Sequence, residues 1–150
     1  FDAIKTLFVE YAGSLGVSLA HEGFDPELAD LAGTYAAPGG ALLLARSDDG
    51  TPAGAVALRK VSPEICEMKR LYVRPAHRGR RTAAGVSIGR ALAEGIVDEA
   101  RRHGFRRVRL DTIAGKMGVA MSLYRSMGFV SIPPYSASPL ADTAYMELAL

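Results

Sequence analysis

Residues 67–92 read EMKRLYVRPAHRGRRTAAGVSIGRAL. The stretch opens as a strand, passes through an arginine-rich loop with a glycine, and runs into a helix. A strand feeding backbone N–H donors at a helix N-terminus is a device for holding phosphate. Between Arg70 and Arg81 come Arg70, Arg74, Arg78, Arg80, Arg81 and His77, with no acid among them. Such a run is an electrostatic footprint for an anion. A solvated basic loop is the plain alternative, and the position before a helix favours the anion.

Working outward, Glu64 to Val73 forms a long strand that Pro75 ends, because proline cannot donate to a ladder. Upstream, Ala53 to Val61 and Ala41 to Arg46 are strands joined by the turn Asp48-Asp49-Gly50. Pro38-Gly39-Gly40 is a turn. Phe1 to Leu19 carries Ile4, Leu7, Phe8, Tyr11 and Leu15 on one helical face. Phe24 to Leu31 starts with Asp25-Pro26-Glu27, a helix opening. Downstream, Ile88, Leu92, Ile96 and Ala100 make a helix to His103, stopped by Gly104. Phe105 to Thr112 is a strand, and Met117 to Met127 a helix ended by Gly128. Phe129 to Ile132 and Ala144 to Leu150 are strands linked by a loop through Pro133, Pro134 and Pro139. This order predicts one α/β domain, a mixed sheet with helices on its faces.

Length and composition agree with a single globular domain: 150 residues, 49% hydrophobic and 23% charged. The chain opens at Phe1 inside a helical pattern, so a few preceding residues are expected. No apolar run has the length of a membrane span. The single cysteine, Cys66, cannot form an internal disulfide, which makes a reducing cytoplasm the expected setting. Net charge is +2, too small to imply nucleic acid, and Tyr72 is the aromatic near the arginines, so no stacking platform exists there. His21, His77 and His103 have no metal-ligand spacing, and no metal is expected. No triad, Walker loop or Rossmann fingerprint occurs.

Arg70-Leu71-Tyr72-Val73-Arg74-Pro75, His77-Arg78-Gly79, Ile88-Gly89-Arg90-Ala91-Leu92, Arg109-Leu110-Asp111-Thr112 and Leu123-Tyr124-Arg125-Ser126-Met127-Gly128-Phe129 follow one another in an order that resembles the GCN5-related N-acetyltransferases. The resemblance runs from Ala41 to the end of the chain. Met117, Pro133-Pro134-Tyr135 and Tyr145-Met146-Glu147-Leu148 resemble a bacterial branch of the family, most of whose members are uncharacterised. The resemblance implies a mostly antiparallel sheet with helices on both faces. It also implies acetyl transfer from acetyl-CoA to an amine by direct attack in a ternary complex.

That chemistry assigns residues. The family binds the CoA pyrophosphate with the pattern R-x-x-G-x-G/A at a helix start, where glycines let the backbone approach oxygen atoms. Here Arg78, Gly79 and Arg80 begin the pattern, and Ile88 and Gly89 resemble its end. Arg81 to Ser87 stand where one glycine is usual, six residues more than expected. Either they form an inserted loop and the helix starts near Ile88, or the helix starts almost two turns earlier with Arg81 in a glycine slot. Gly85 inside a helix costs about 1 kcal/mol, which favours the loop.

In the family the pantetheine arm pairs with a bulged central strand, where a backbone N–H meets the acetyl oxygen, and the resemblance puts Leu71, Tyr72 and Val73 in that segment. Leu71 and Val73 also read as plain core residues. Glu67, six residues before Val73, stands where several relatives carry a glutamate base; apolar neighbours on a central strand would raise its pKa. A salt bridge to Lys69, Arg70 or another basic residue is its structural alternative, and Glu64 competes for the role. Tyr124 matches the general-acid tyrosine that protonates the departing thiolate, or else it is an aromatic core residue. Asp111 and Thr112 could touch substrate or cap the following helix.

The acceptor, a small-molecule or protein amine, would lie against the first two helices and the loop from Pro133 to Ala144, with Tyr11 and Tyr135 as lining candidates. Edge strands at the C-terminus would allow a homodimer. The insertion leaves a second reading open: a CoA-binding sensor or partner-binding module without turnover.

Overall fold

The computed structural model describes residues 2–15, 24–35, 39–113, 118–136 and 143–150. Expectations for Phe1, residues 16–19, His21, Pro38, Met117 and Pro139 lie outside these. Five helices and six strands occur among the described residues: α1 Asp2–Leu15, α2 Phe24–Ala29, α3 Leu31–Thr34, β1 Ala41–Arg46, β2 Pro52–Lys60, β3 Ile65–Val73, α4 Ile88–Arg102, β4 Arg107–Ile113, α5 Gly118–Ser126, β5 Val130–Ser131 and β6 Thr143–Ala149. The single helix expected over residues 24–31 is two short ones. Asp30 separates them, because its side chain accepts the Gly33 N–H and so starts α3 as its N-cap.

The strands form one sheet in the order β1-β2-β3-β4-β6-β5. Two antiparallel halves, β1-β2-β3 and β4-β6-β5, meet along a parallel seam between β3 and β4. The seam holds for Ile65↔Arg107, Cys66↔Val108 and Glu67↔Arg109, and there it ends. Beyond it β3 still pairs with β2 as far as Val73↔Gly54, and β4 with β6 as far as Ile113↔Thr143. The halves therefore diverge past Glu67 and leave a wedge between residues 68–73 and 110–113.

A bulge sits on the β3 side of that wedge. Ala55 pairs with Tyr72 and Ala57 with Lys69, so Val56 faces two residues, Arg70 and Leu71. The extra residue reverses which face each later side chain takes. Cys66 and Met68 belong to the core under α4 before the bulge, and Leu71 and Val73 pack against that core after it. On the other face Ala55, Ala57 and Tyr72 pack with Leu7 and Phe8 of α1, Phe24 of α2 and Leu31 of α3. Helices thus cover both faces.

Candidate active site

The mouth of the wedge is closed by the start of α4. Ser87 is its N-cap, with the Ser87 hydroxyl accepting the Arg90 N–H at 3.2 Å and the Ser87 carbonyl accepting the Ala91 N–H at 3.0 Å. The Gly89 N–H has no partner among the described residues. It is one of the orphan donors that every helix start leaves over. A Cβ on Gly89 would lie 3.7 Å from Val73 Cγ2, so α4 begins directly over the end of β3.

Of the two ways to place the extra residues, the structure takes the loop. Arg81 and Ser87 form an antiparallel bridge, the Thr82 N–H donates to the Val86 carbonyl at 2.8 Å, and the Gly85 N–H donates to the Thr82 carbonyl at 2.9 Å. Gly85 turns this small hairpin with φ +80°, a conformation that suits glycine. Arg81 Nη1 closes it on the Gly85 carbonyl at 3.1 Å. The insertion is a self-bonded hairpin set in front of α4. Ahead of it Pro75–His77 make one 3-10 turn and Gly79 has φ +83°.

The arginine run is not a single anion grip. Arg70 is buried against Glu27, and Arg74 donates from Nε and Nη2 to the Glu10 carboxylate at 3.0 and 2.7 Å. The Arg74 guanidinium holds the Glu10 carboxyl below its ordinary range. Acids far away in sequence thus neutralise two of the five arginines. Arg78 donates from Nε to the Val73 carbonyl at 2.9 Å, and its guanidinium lies over the Tyr72 ring. Arg78, Arg80 and Arg81 are exposed beside the α4 start.

Glu67 is buried at the apex of the wedge, where the seam ends. Its expected apolar surroundings are corrected by three polar partners. Arg59 Nη2 donates to Oε1 at 2.7 Å, Lys69 Nζ lies 3.9 Å from the same oxygen, and the Tyr135 hydroxyl donates to Oε2 at 2.8 Å. Burial and the Glu67 charge push the Tyr135 phenol up in pKa. The Tyr135 ring stacks edge-on against Tyr145 and under the Arg109 guanidinium. Tyr135 was expected at the acceptor side; its bond to Glu67 was not. The Arg59 contact had a signal, since Arg59 and Glu67 stand opposite one another across the hairpin that turns at Ser62-Pro63. Glu64, the competing candidate, is exposed at the strand's outer end and lies 3.8 Å from Arg106.

Tyr124 is buried on α5 in the core under α4, with its ring 5.7 Å from Phe129. Its hydroxyl makes no hydrogen bond among the described residues. Burial raises its pKa, and the nearby Tyr11 and Asp111 add to the rise. Tyr11 packs on the opposite face, edge-on to Tyr72. Asp111 is half-buried and Thr112 buried, both within β4 and neither at a helix cap. Cys66 is buried, its thiol pushed up to about 12 by burial, which leaves it inert.

Among the described residues no helix is long and apolar enough to cross a membrane, and no three metal-ligating side chains gather. A chain with these features has relatives. Residues 3–129 match the family model described as acetyltransferase (GNAT) family. An uncharacterized N-acetyltransferase of Schizosaccharomyces pombe is 36% identical over 150 residues, covering 99% of this chain and 88% of that protein. An acetyltransferase of Streptococcus agalactiae shares the fold with a TM-score of 0.79 at 20% identity, over 100% of this chain and 93% of that one. The PaiA N-acetyltransferase of Thermoplasma acidophilum, solved in complex with coenzyme A, has a TM-score of 0.63 at 20% identity, over 86% and 70% of the two chains. With a family model spanning most of its length and a relative of this identity along all but the ends, the chain belongs to the GNAT acetyltransferase family.

Proposed function

We propose that the protein transfers the acetyl group of acetyl-CoA to a primary amine of a small molecule or protein, by direct attack with both substrates bound. The observation that carries this reading is the wedge: β3 leaves β4 after Glu67, bulges at Arg70-Leu71, and ends under the α4 N-terminus. An extended thioester arm fits such a gap as an added strand on Leu71, Tyr72 and Val73. Its pyrophosphate then reaches the α4 start, where Ser87, Ile88 and the Gly89 N–H are offered together with Arg78, Gly79, Arg80 and Arg81 as the grip. A coenzyme A complex of a protein with this fold supports the choice of co-substrate.

In this reading a bulge N–H stabilises the acetyl oxygen as it gains charge. The amine nitrogen forms the new C–N bond and the C–S bond breaks. Glu67 receives the amine proton, directly or through the Tyr135 hydroxyl that donates to it. Tyr124 faces the departing sulfur. With its pKa raised, it is held as a phenol and acts first as a hydrogen-bond donor to the thiolate. Thiol release from acetyl-CoA with a panel of primary amines tests the reading. Release that depends on an amine supports it.

The hairpin in front of α4 favours one second reading, a CoA-binding module without turnover. Acetyl-CoA that raises the melting temperature, with no amine giving thiol release, would decide for that module. If neither CoA nor acetyl-CoA shifts the melting temperature at saturation, both readings fail.

A further inference from the structure

Arg70 is the sole non-glycine residue with positive φ among the described residues, at +61°. Left-handed backbone is uncommon for a long side chain and persists where the surroundings over-determine it. Glycine would adopt it freely, so the turn alone does not call for arginine. The surroundings of Arg70 show what the arginine adds. Its Nε and Nη2 donate to the two oxygens of Glu27 at 3.1 and 3.0 Å, a bidentate fork. Both side chains are buried, at 2% and 6% exposure. The guanidinium also lies 5.1 Å from the Phe24 ring centroid. Phe24 and Glu27 stand three residues apart on α2, on one helical face. The clamp therefore ties the bulge to a helix 43 residues earlier in the chain.

The clamped bulge lies on the part of β3 that β4 no longer covers, and two of its residues share one partner on β2. The edge of β3 that β4 leaves faces the wedge. We propose that Arg70 is a positioning residue for acetyl transfer. Its fork to Glu27 fixes the bulge so that the backbone N–H meets the acetyl oxygen, and joins that point to α2 on the acceptor face. This rests on the transferase reading given above. A clamp of this kind acts on the chemical step, because a misplacement of about 1 Å costs about 100-fold. It leaves the pyrophosphate grip at α4 alone.

R70G keeps the backbone conformation accessible and removes the fork; E27Q weakens the fork from the other side. The expected result for R70G is a kcat about 30- to 100-fold lower, with acetyl-CoA affinity by calorimetry within about threefold of the parent. E27Q falls in the same direction, and R70G/E27Q together fall no further than R70G, since both cut one clamp. R70K keeps the charge without the fork and carries the same test should R70G not fold. A parent-like kcat in R70G, or in R70K where R70G does not fold, overturns the positioning role alone. So does a loss shared equally between kcat and affinity, which would mark a merely structural part. A parent protein that binds acetyl-CoA but releases no thiol with any amine overturns this role and the transferase reading together.

Discussion

The two faces of the sheet follow different rules. Under α4 the buried side chains are apolar, with Leu58, Ile96, Val108, Leu110 and Met146 at or near zero exposure. Under α1, α2 and α3 the sheet buries Glu67, Lys69 and Arg70, and α2 adds Glu27. Buried ion pairs contribute little net stability, because desolvation offsets the attraction. Both faces therefore carry an apolar core, and the second also buries charged pairs beside the wedge at some cost in stability. The bulge at Arg70-Leu71 marks the boundary, since it returns β3 to the apolar pattern beyond the charged segment. Tyr124 belongs to the apolar core, with a hydroxyl that has no hydrogen-bond partner among the described residues.

Four substitutions test this contrast. The largest effect is expected from Tyr124→Phe, with kcat falling about 10²- to 10⁴-fold. Its denaturation midpoint stays close to the parent's, because the hydroxyl has no hydrogen-bond partner to lose among the described residues. Unchanged turnover would remove Tyr124 from the chemistry and return it to the core. Ile96→Ala is the mirror case. It should cost about 2–5 kcal/mol in urea denaturation and leave the kcat of the folded fraction near normal. Gly89→Ala separates binding from folding. The added methyl meets Val73 at ordinary contact distance and favours the helix by up to about 1 kcal/mol. It also blocks the close approach to the Gly89 amide, so acetyl-CoA affinity by calorimetry should fall about tenfold, or ~1.4 kcal/mol. The smallest effect belongs to Glu10→Gln. Arg74 depresses the folded-state pKa of Glu10, so its stabilising effect is present above the ordinary value of 4.5 and fades as pH falls through the lower folded value. Melting temperatures of parent and variant should differ slightly at pH 7 and converge in acid, and the gap should shrink with salt.

Most of the element pattern was legible because turns punctuate it. β1 has the expected bounds, and α4 starts at Ile88, the favoured of the two registers weighed for it. What the sequence hid was pairing at a distance. Arg70 and Arg74 read as part of an anion cluster because Glu27 and Glu10 lie 43 and 64 residues away. The bulge came through the family resemblance alone, since positive φ is usually announced by glycine and here falls on arginine. Tyr135 reached Glu67 across 68 residues, through a loop whose path no periodicity predicts. By contrast, a loop rather than helix at residues 81–87 was favoured by an ordinary cue, a glycine that a helix would not favour, and the structure makes that loop a hairpin.

The claim that the wedge is the acetyl-CoA site is tested most directly by amide hydrogen exchange with and without saturating acetyl-CoA. Slowed exchange is expected along β3 from residue 68 to 73 and through residues 79–90, with β1 and β5 unchanged. Binding that leaves both of those segments unprotected, or protects the β5–β6 edge instead, would contradict it.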